Sequence, residues 1–212
     1  SSGTAVAAIG DFTSLVMASV AAVFSARAAR HARGRLRAAW AALAFGLLGW
    51  AVGDAIWAYY ELVLHQFPFP SAADGAYLLL PVGACAAMLL FPTARSVQSQ
   101  ARLLLDGIIV AGSLFLASWL TVIRPVYEAG AESRLALIME LAYSTADLVV
   151  LTVAAYVVVK AGSGQRLALS VFILGMMFIA LSDSVFVYLS SKGQYATGNP
   201  IDLGWAAGLL LI

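Results

Sequence analysis

Apolar residues come in seven long runs, at about 5–26, 38–62, 72–91, 103–123, 135–159, 167–189 and 200–212, with short polar connections between them. The first six each approach the roughly 20 residues a helix needs to cross a bilayer. The pattern predicts an all-α, polytopic transmembrane helix bundle of about seven helices, one domain over residues 1–212. The last run has about 12 residues, roughly 18 Å of helix, so it is expected to be a truncated span with more chain beyond residue 212. The first run lacks a charged leading region and carries Asp11, so it reads as a span and not as a signal peptide.

Turn chemistry fits these boundaries. Pro68 and Pro70 bias the connection 65–71 toward extended geometry, Arg124–Pro125 closes the fourth run, and Asn199–Pro200 opens the seventh. Ser163–Gly164 and Gly193 punctuate later connections. Gly49-x-x-x-Gly53 and Gly204-x-x-x-Gly208 permit close helix approach, expected within the monomer.

Composition turns the pattern into a class. Hydrophobic residues make up 62% of the chain, charged residues 11%, and mean hydropathy is +0.92. A soluble domain carries about 25% charged residues, so this chain lacks the polar surface to coat itself. The net charge of +1 excludes the basic profile of a nucleic-acid binder, and the single cysteine, Cys85, excludes a disulfide or a cysteine-based metal site.

The basic residues set an orientation. Arg27, Arg30, Arg33, Arg35, Arg37, Arg95, Arg102, Lys160 and Arg166 fall on one side, with His31 in the first of these basic connections. Arg124, Arg134 and Lys192 fall on the other, beside Glu128 and Glu132. The bias predicts a multi-pass protein of the plasma membrane, with its N-terminus outside and its seventh helix directed to the cytoplasm. The segment 27–37 is expected to meet anionic lipid headgroups.

Each predicted span holds one aspartate: Asp11, Asp54, Asp74, Asp106, Asp147, Asp183 and Asp202. All but Asp106 fall in the outer half; Asp106 follows Arg102 by four residues, and an ion pair accounts for it. Asp74 and Asp202 open their helices, where capping competes with a binding role. Helical spacing puts Trp50, Asp54, Trp57 and Glu61 on one stripe, Glu140, Tyr143 and Asp147 on a second, and Asp183, Phe186 and Ser190 on a third. Carboxylates on lipid-facing stripes are costly, so these stripes are expected to face the bundle interior or a water-filled cavity. Tyr59 and Tyr60 suit an interfacial aromatic belt.

The acidic stretches echo one another. The run 53–61 (GDAIWAYYE) aligns with 182–190 (SDSVFVYLS), pairing Asp54 with Asp183, Trp57 with Phe186 and Tyr59 with Tyr188. Each is followed by a Pro-bearing turn and a helix opening with Asp-x-x-aromatic, Asp74/Tyr77 and Asp202/Trp205. Asp11 aligns with Asp147. A parallel repeat of helices 1–3 and 5–7, in halves of about 5–123 and 135–212, would bring two acid-aromatic hairpins together in a pocket open to the outside.

Other chemistries lack their residues. The two histidines, His31 and His65, form no metal motif, no phosphate-binding glycine loop is present, and no lysine in the seventh run could hold retinal. No catalytic residue, metal site or cofactor is expected. Midplane acids and a repeat also suit a small-solute or proton-coupled transporter, although Pro81 is the one candidate for a helix break.

The run 49–81 (GWAVGDAIWAYYELVLHQFPFPSAADGAYLLLP) resembles the N-terminal membrane regions of actinobacterial-type multidomain signalling proteins, chiefly diguanylate cyclases and phosphodiesterases with GGDEF and EAL domains. LLLDGIIVAGSLFLASWLTVIRPVY, ADLVVLTVAAYV and IDLGWAAGLLL look like later segments of the same region, so the resemblance covers roughly 40–212. It implies a sensor, dimeric through a cytoplasmic output domain that follows the last helix. No output motif lies within 1–212. The expected function is therefore reception of an external small molecule, cation or proton. The candidate ligand-binding residues are Asp54, Trp57, Trp50, Glu61, Asp74, Tyr77, Glu140, Tyr143, Asp147, Asp183, Phe186, Asp202 and Trp205.

Overall fold

A computed structural model describes residues 2–91, 105, 109, 112–113, 115–124, 127, 133–162, 164–191, 194–195 and 198–212. Every regular element among them is helical. Eight residues of the run 103–123, among them Asp106 with its pairing to Arg102, lie outside the described residues, as do Arg95, Pro125, Glu128, Glu132, Ser163, Lys192 and Gly193. The helices are α1 (Ser2–His31), α2 (Gly34–Ala58), α3 (Ala72–Tyr77), α4 (Leu79–Leu90), α5 (Arg134–Lys160), α6 (Arg166–Ser191) and α7 (Asp202–Leu211). Five stretches are long and apolar enough to cross a membrane: 8–31, 34–64, 72–90, 134–158 and 166–190. The chain is a multi-pass helical bundle.

Three boundaries differ from the hydropathy pattern. The basic connection 27–37 is mostly helix: α1 runs through Arg27, Arg30 and His31, and α2 already includes Arg35 and Arg37. Arginine is a good helix former with a long stem that carries its charge to water, so it need not end a helix. The turn is made instead by Gly34 at φ +58°, a backbone region that favours glycine. The third span is broken at Leu78, because the ring of Pro81 crowds the carbonyl four residues earlier and lacks an N–H to bond it. At the other end, α2 widens into a π-helical turn, Tyr59–Leu64, which His65 stops in the left-handed conformation at φ 51°. A second π-helical turn, Trp119–Ile123, packs against α5 and α6.

The spans close into a ring in the order α1, α2, α4, α5, α6, α7 and back to α1. Leu47, Trp50, Leu80, Met88, Val150, Met176, Ile179 and Leu209 fill its centre as one apolar cluster. Glycines set the spacing, and both G-x-x-x-G pairs act inside the monomer as expected. A Cβ on Gly49 would stand 3.0 Å from the Ala76 carbonyl oxygen, and one on Gly208 would stand 2.8 Å from that of Gly175. A tighter crossing, between Gly46 and Gly83, joins α2 to α4.

Charge is divided between the two ends. The exposed arginines of the α1–α2 turn lie at the end where Arg35 donates to the Leu89 carbonyl oxygen at 3.1 Å. Lys160 and Arg166, at the α5–α6 turn, cap the same end: Lys160 bonds and overlies Tyr156, and Arg166 donates to the Ala161 carbonyl oxygen. The buried acidic residues among those described gather toward the opposite end.

Candidate functional site

Antiparallel neighbours put the last turns of α2 and α6 beside the first turns of α1, α3, α5 and α7. That arrangement brings the scattered acids together. Among the described residues the buried side chains able to carry charge are all acidic: Asp54, Glu61, Asp74, Glu140, Asp147 and Asp183, each 5–8% exposed. Trp50 and Tyr143 are buried with them, so the stripes of α2 and α5 face inward as their spacing predicts. Trp57, Tyr77, Phe186, Trp205 and Asp202 are partly buried, and Tyr59 is exposed, as an aromatic belt requires.

The hydrogen bonds of the Asp-x-x-aromatic segments run between elements. No aspartate bonds the aromatic three residues after it; each bonds an aromatic on another element. Tyr77 Oη donates to Asp54 Oδ1 at 3.0 Å, and Trp205 Nε1 donates to Asp183 Oδ1 at 2.7 Å. In both hairpins the ring that follows the second aspartate returns to the carboxylate of the first helix. Trp57 turns instead to Glu61, with Nε1 3.0 Å from Oε2. An i,i+3 pair on one helix runs nearly side by side, so an aromatic polar atom reaches more easily across a helix interface than to its own neighbour.

Asp74 is both a cap and a cross-bundle link. Its Oδ2 accepts from the Ser71 backbone N–H at 2.6 Å, and Ser71 Oγ accepts from the Ala73 N–H, forming a capping box at the start of α3. Its Oδ1 accepts from Tyr143 Oη of α5 at 2.9 Å. Ser71→Ala should lower stability by about 1 kcal/mol, the usual loss for a cap, read from the denaturation midpoint in detergent. A loss no larger than that of an exposed Ser→Ala change would refute the cap's role.

Asp202 does not cap α7. Its carboxylate reaches back across the preceding turn, accepting from the Gly198 N–H at 2.8 Å and from Tyr195 Oη at 3.1 Å. Burial, with the Asp202 carboxylate close by, pushes the Tyr195 phenol above its ordinary range and keeps it a donor. Phe186 sits at the centre of an aromatic group, with ring centroids 6.2 Å from Phe69, 4.8 Å from Tyr195 and 5.7 Å from Trp205. Trp50 meets Tyr77 edge-on at 4.9 Å.

The two halves of the site differ in how well they are satisfied. Asp54 has a donor on each oxygen, since Ser14 Oγ of α1 donates to Oδ2 at 2.8 Å. Asp183 has Trp205 alone among the described residues. Asp147 stands near enough to Asp183 for their charges to interact, and its Oδ2 has no partner. Glu140 Oε2 and Asp11 Oδ2 are also buried without a partner. Asp11 in turn senses the charges of Glu61, Asp54 and Asp202, which links α1 to α2 and α7. The arrangement can receive positive charge or hydrogen-bond donors. Among the described residues no group of three or more acidic, histidine or cysteine side chains is placed to hold a metal ion.

The sequence pattern does not single out Ser14, Phe69, Ser71 or Tyr195. Ser71-x-x-Asp74 was legible as a capping box, and Ser14 lies one turn from Asp11 on the same face. Phe69 and Tyr195 sit in connections, where spacing carries no directional information. Among the described residues, buried donors and rings fill the space between the hairpins, where the repeat suggested a pocket open to the outside. No known protein family, curated protein or solved structure matches the chain.

Proposed function

We propose that the chain is a membrane-embedded sensory domain, with the acidic end of its helical ring outside and the basic end in the cytoplasm. The observation that carries this reading is the convergence of six buried carboxyl side chains from α2, α3, α5 and α6 with no buried cationic side chain among the described residues. Ionisable side chains inside a membrane span mark a functional site, and within this cluster Glu140 Oε2 and Asp147 Oδ2 have no hydrogen-bond partner. An external ligand or ion that binds the closed and open packings differently would shift their balance, which is all a receptor requires. The ring offers a route for the signal, because α2, α5 and α6, which hold acids, run to the end that carries Arg35, Lys160 and Arg166.

In this reading the two Asp-aromatic hairpins are halves of a parallel repeat. The matching bonds from Tyr77 to Asp54 and from Trp205 to Asp183 support it, as does the symmetric order of the ring. Consistent with the resemblance to diguanylate cyclase and phosphodiesterase membrane regions, the partner of the domain is a cytoplasmic output domain of the cyclic-di-GMP type, dimeric in the full protein. The domain itself is not the enzyme.

The test uses the full-length protein in cells, with cyclic-di-GMP measured as external pH is stepped. Asp54→Asn and Asp183→Asn should each flatten the response while protein levels hold. An unaltered response in both variants would sink the proposal. The unpartnered oxygens of Glu140 and Asp147 also suit a proton-coupled transporter. Proton uptake into proteoliposomes, abolished by Asp147→Asn, would favour that reading over the sensor.

A further inference from the structure

The half of the site built on α5 and α6 lacks what its counterpart on α1 and α2 possesses. Ser14, the residue that completes Asp54, aligns with Val150, which is 1% exposed and offers no donor. Two carboxylate oxygens on one face of α5 are left open as a result: Glu140 Oε2, two turns into the helix, and Asp147 Oδ2, two turns deeper. Their residues are 5% and 6% exposed. Seven residues of α-helix separate them, about 10 Å along the axis.

Tyr143 lies between the two on the same face, but its hydroxyl is already committed to Asp74. Asp183 places a second carboxyl beside Asp147, and Phe186 and Trp205 present aromatic surface nearby. These features together demand a particular occupant. The open positions are acceptors only, so the ligand must donate. A carboxyl stands at each end, so a ligand cationic at both ends would pair with each as it ionises. Tyr143 lies between the two, with Phe186 packed against its cluster, and rings of this kind suit a hydrocarbon linker and a nearby cation.

We propose that the α5 face binds an aliphatic diamine as its dication, one ammonium on Asp147 and the other on Glu140. This assignment rests on the sensory reading and names the chemical class of its ligand. A single proton or metal ion would answer one of the two oxygens and leave the other open. A diammonium ion answers both. The first half, satisfied by Ser14 and Tyr77, holds the ring together while the second half receives the ligand. Because the space between the hairpins is filled in this packing, the ligand would enter the open one, holding Glu140 and Asp147 on one linear molecule and so favouring that packing.

The experiment is calorimetric titration of the protein in zwitterionic nanodiscs with the α,ω-diaminoalkanes from propane to decane and the matching n-alkylamines. Affinity should peak where the nitrogens stand roughly 7–10 Å apart, close to the rise between Glu140 and Asp147. A monoamine of the same length should bind about tenfold more weakly, the factor expected from one lost charge-assisted contact. Asp147→Asn and Glu140→Gln should each reduce the best diamine to the level of its monoamine, and Tyr59→Phe should leave it unchanged. Melting curves confirm that the variants remain folded. Affinity that climbs steadily with chain length, as bilayer partitioning would give, overturns the proposal. So does absence of binding, or full affinity in folded Asp147→Asn.

The sensory reading fails separately. If diamines do not bind while Asp54→Asn and Asp183→Asn still lose the cellular response, only the ligand assignment falls. If diamines bind with the expected optimum and the response is untouched, the ligand assignment stands and the sensory reading falls.

Discussion

Gly83→Leu should separate α2 from α4 and leave the protein marginally folded. A Cβ at this position would stand 2.6 Å from the Ala42 carbonyl oxygen, 2.8 Å from Gly46 Cα and 2.9 Å from Gly46 N. These obstacles are backbone atoms, so no rotamer change can clear them, and whole helices must part. Overpacking costs typically 1–3 kcal/mol where side chains can adjust, and the cost here should reach about 3 kcal/mol or more. For a chain of 150–250 residues each kcal/mol moves the midpoint by roughly 2–4 °C, so a fall on the order of 10 °C is expected. Thermal unfolding followed by tryptophan fluorescence in detergent measures it. Gly10→Leu is the control, because a Cβ there meets nothing within 4 Å. Equal effects of the two substitutions would show that the Gly46–Gly83 crossing does not set the helix spacing.

The second prediction exploits the unequal halves of the site. Trp205→Phe and Tyr77→Phe each remove one donor from a buried aspartate at equivalent places in the two hairpins. Tyr77→Phe leaves Asp54 the hydroxyl of Ser14, whereas Trp205→Phe leaves Asp183 with no donor among the described residues. A buried acceptor stripped of its partner costs about 1–3 kcal/mol, more for a charged group, while a partly satisfied one loses nearer the ordinary value of about 1 kcal/mol. Trp205→Phe should therefore destabilise by roughly 2–3 kcal/mol, two or three times the effect of Tyr77→Phe. Pairing Trp205→Phe with Asp183→Asn in a double-mutant cycle isolates the bond from the lost ring area. If Tyr77→Phe proves the costlier change, the asymmetry between the halves is wrong.

Much of this architecture was legible before any coordinate. A chain with 11% charged residues and long apolar runs has no soluble alternative, and carboxylates on helical stripes had to turn inward. Trp50, Asp54, Glu61, Glu140, Tyr143, Asp147 and Asp183 are all buried in consequence. The boundaries were less legible, because hydropathy treats arginine as an ending while the helix tolerates it: α1 continues through Arg27 and Arg30. The break at Leu78 was foreshadowed only by Pro81.

Partner choice was beyond the sequence. The spacing put an aromatic three positions after Asp54 and Asp74 without saying which acid each ring meets; Tyr77 serves Asp54 and Tyr143 serves Asp74. A helix fixes which residues share a face through its 3.6-residue period, and the sequence alone therefore determined the class, five of the spans and the inward direction of the buried acids. Which faces meet depends on helix crossings set by glycine contacts such as Gly46 with Gly83. The closed ring, the cross-paired donors and the two open oxygens of α5 are consequences of those crossings, so only the tertiary structure could decide them.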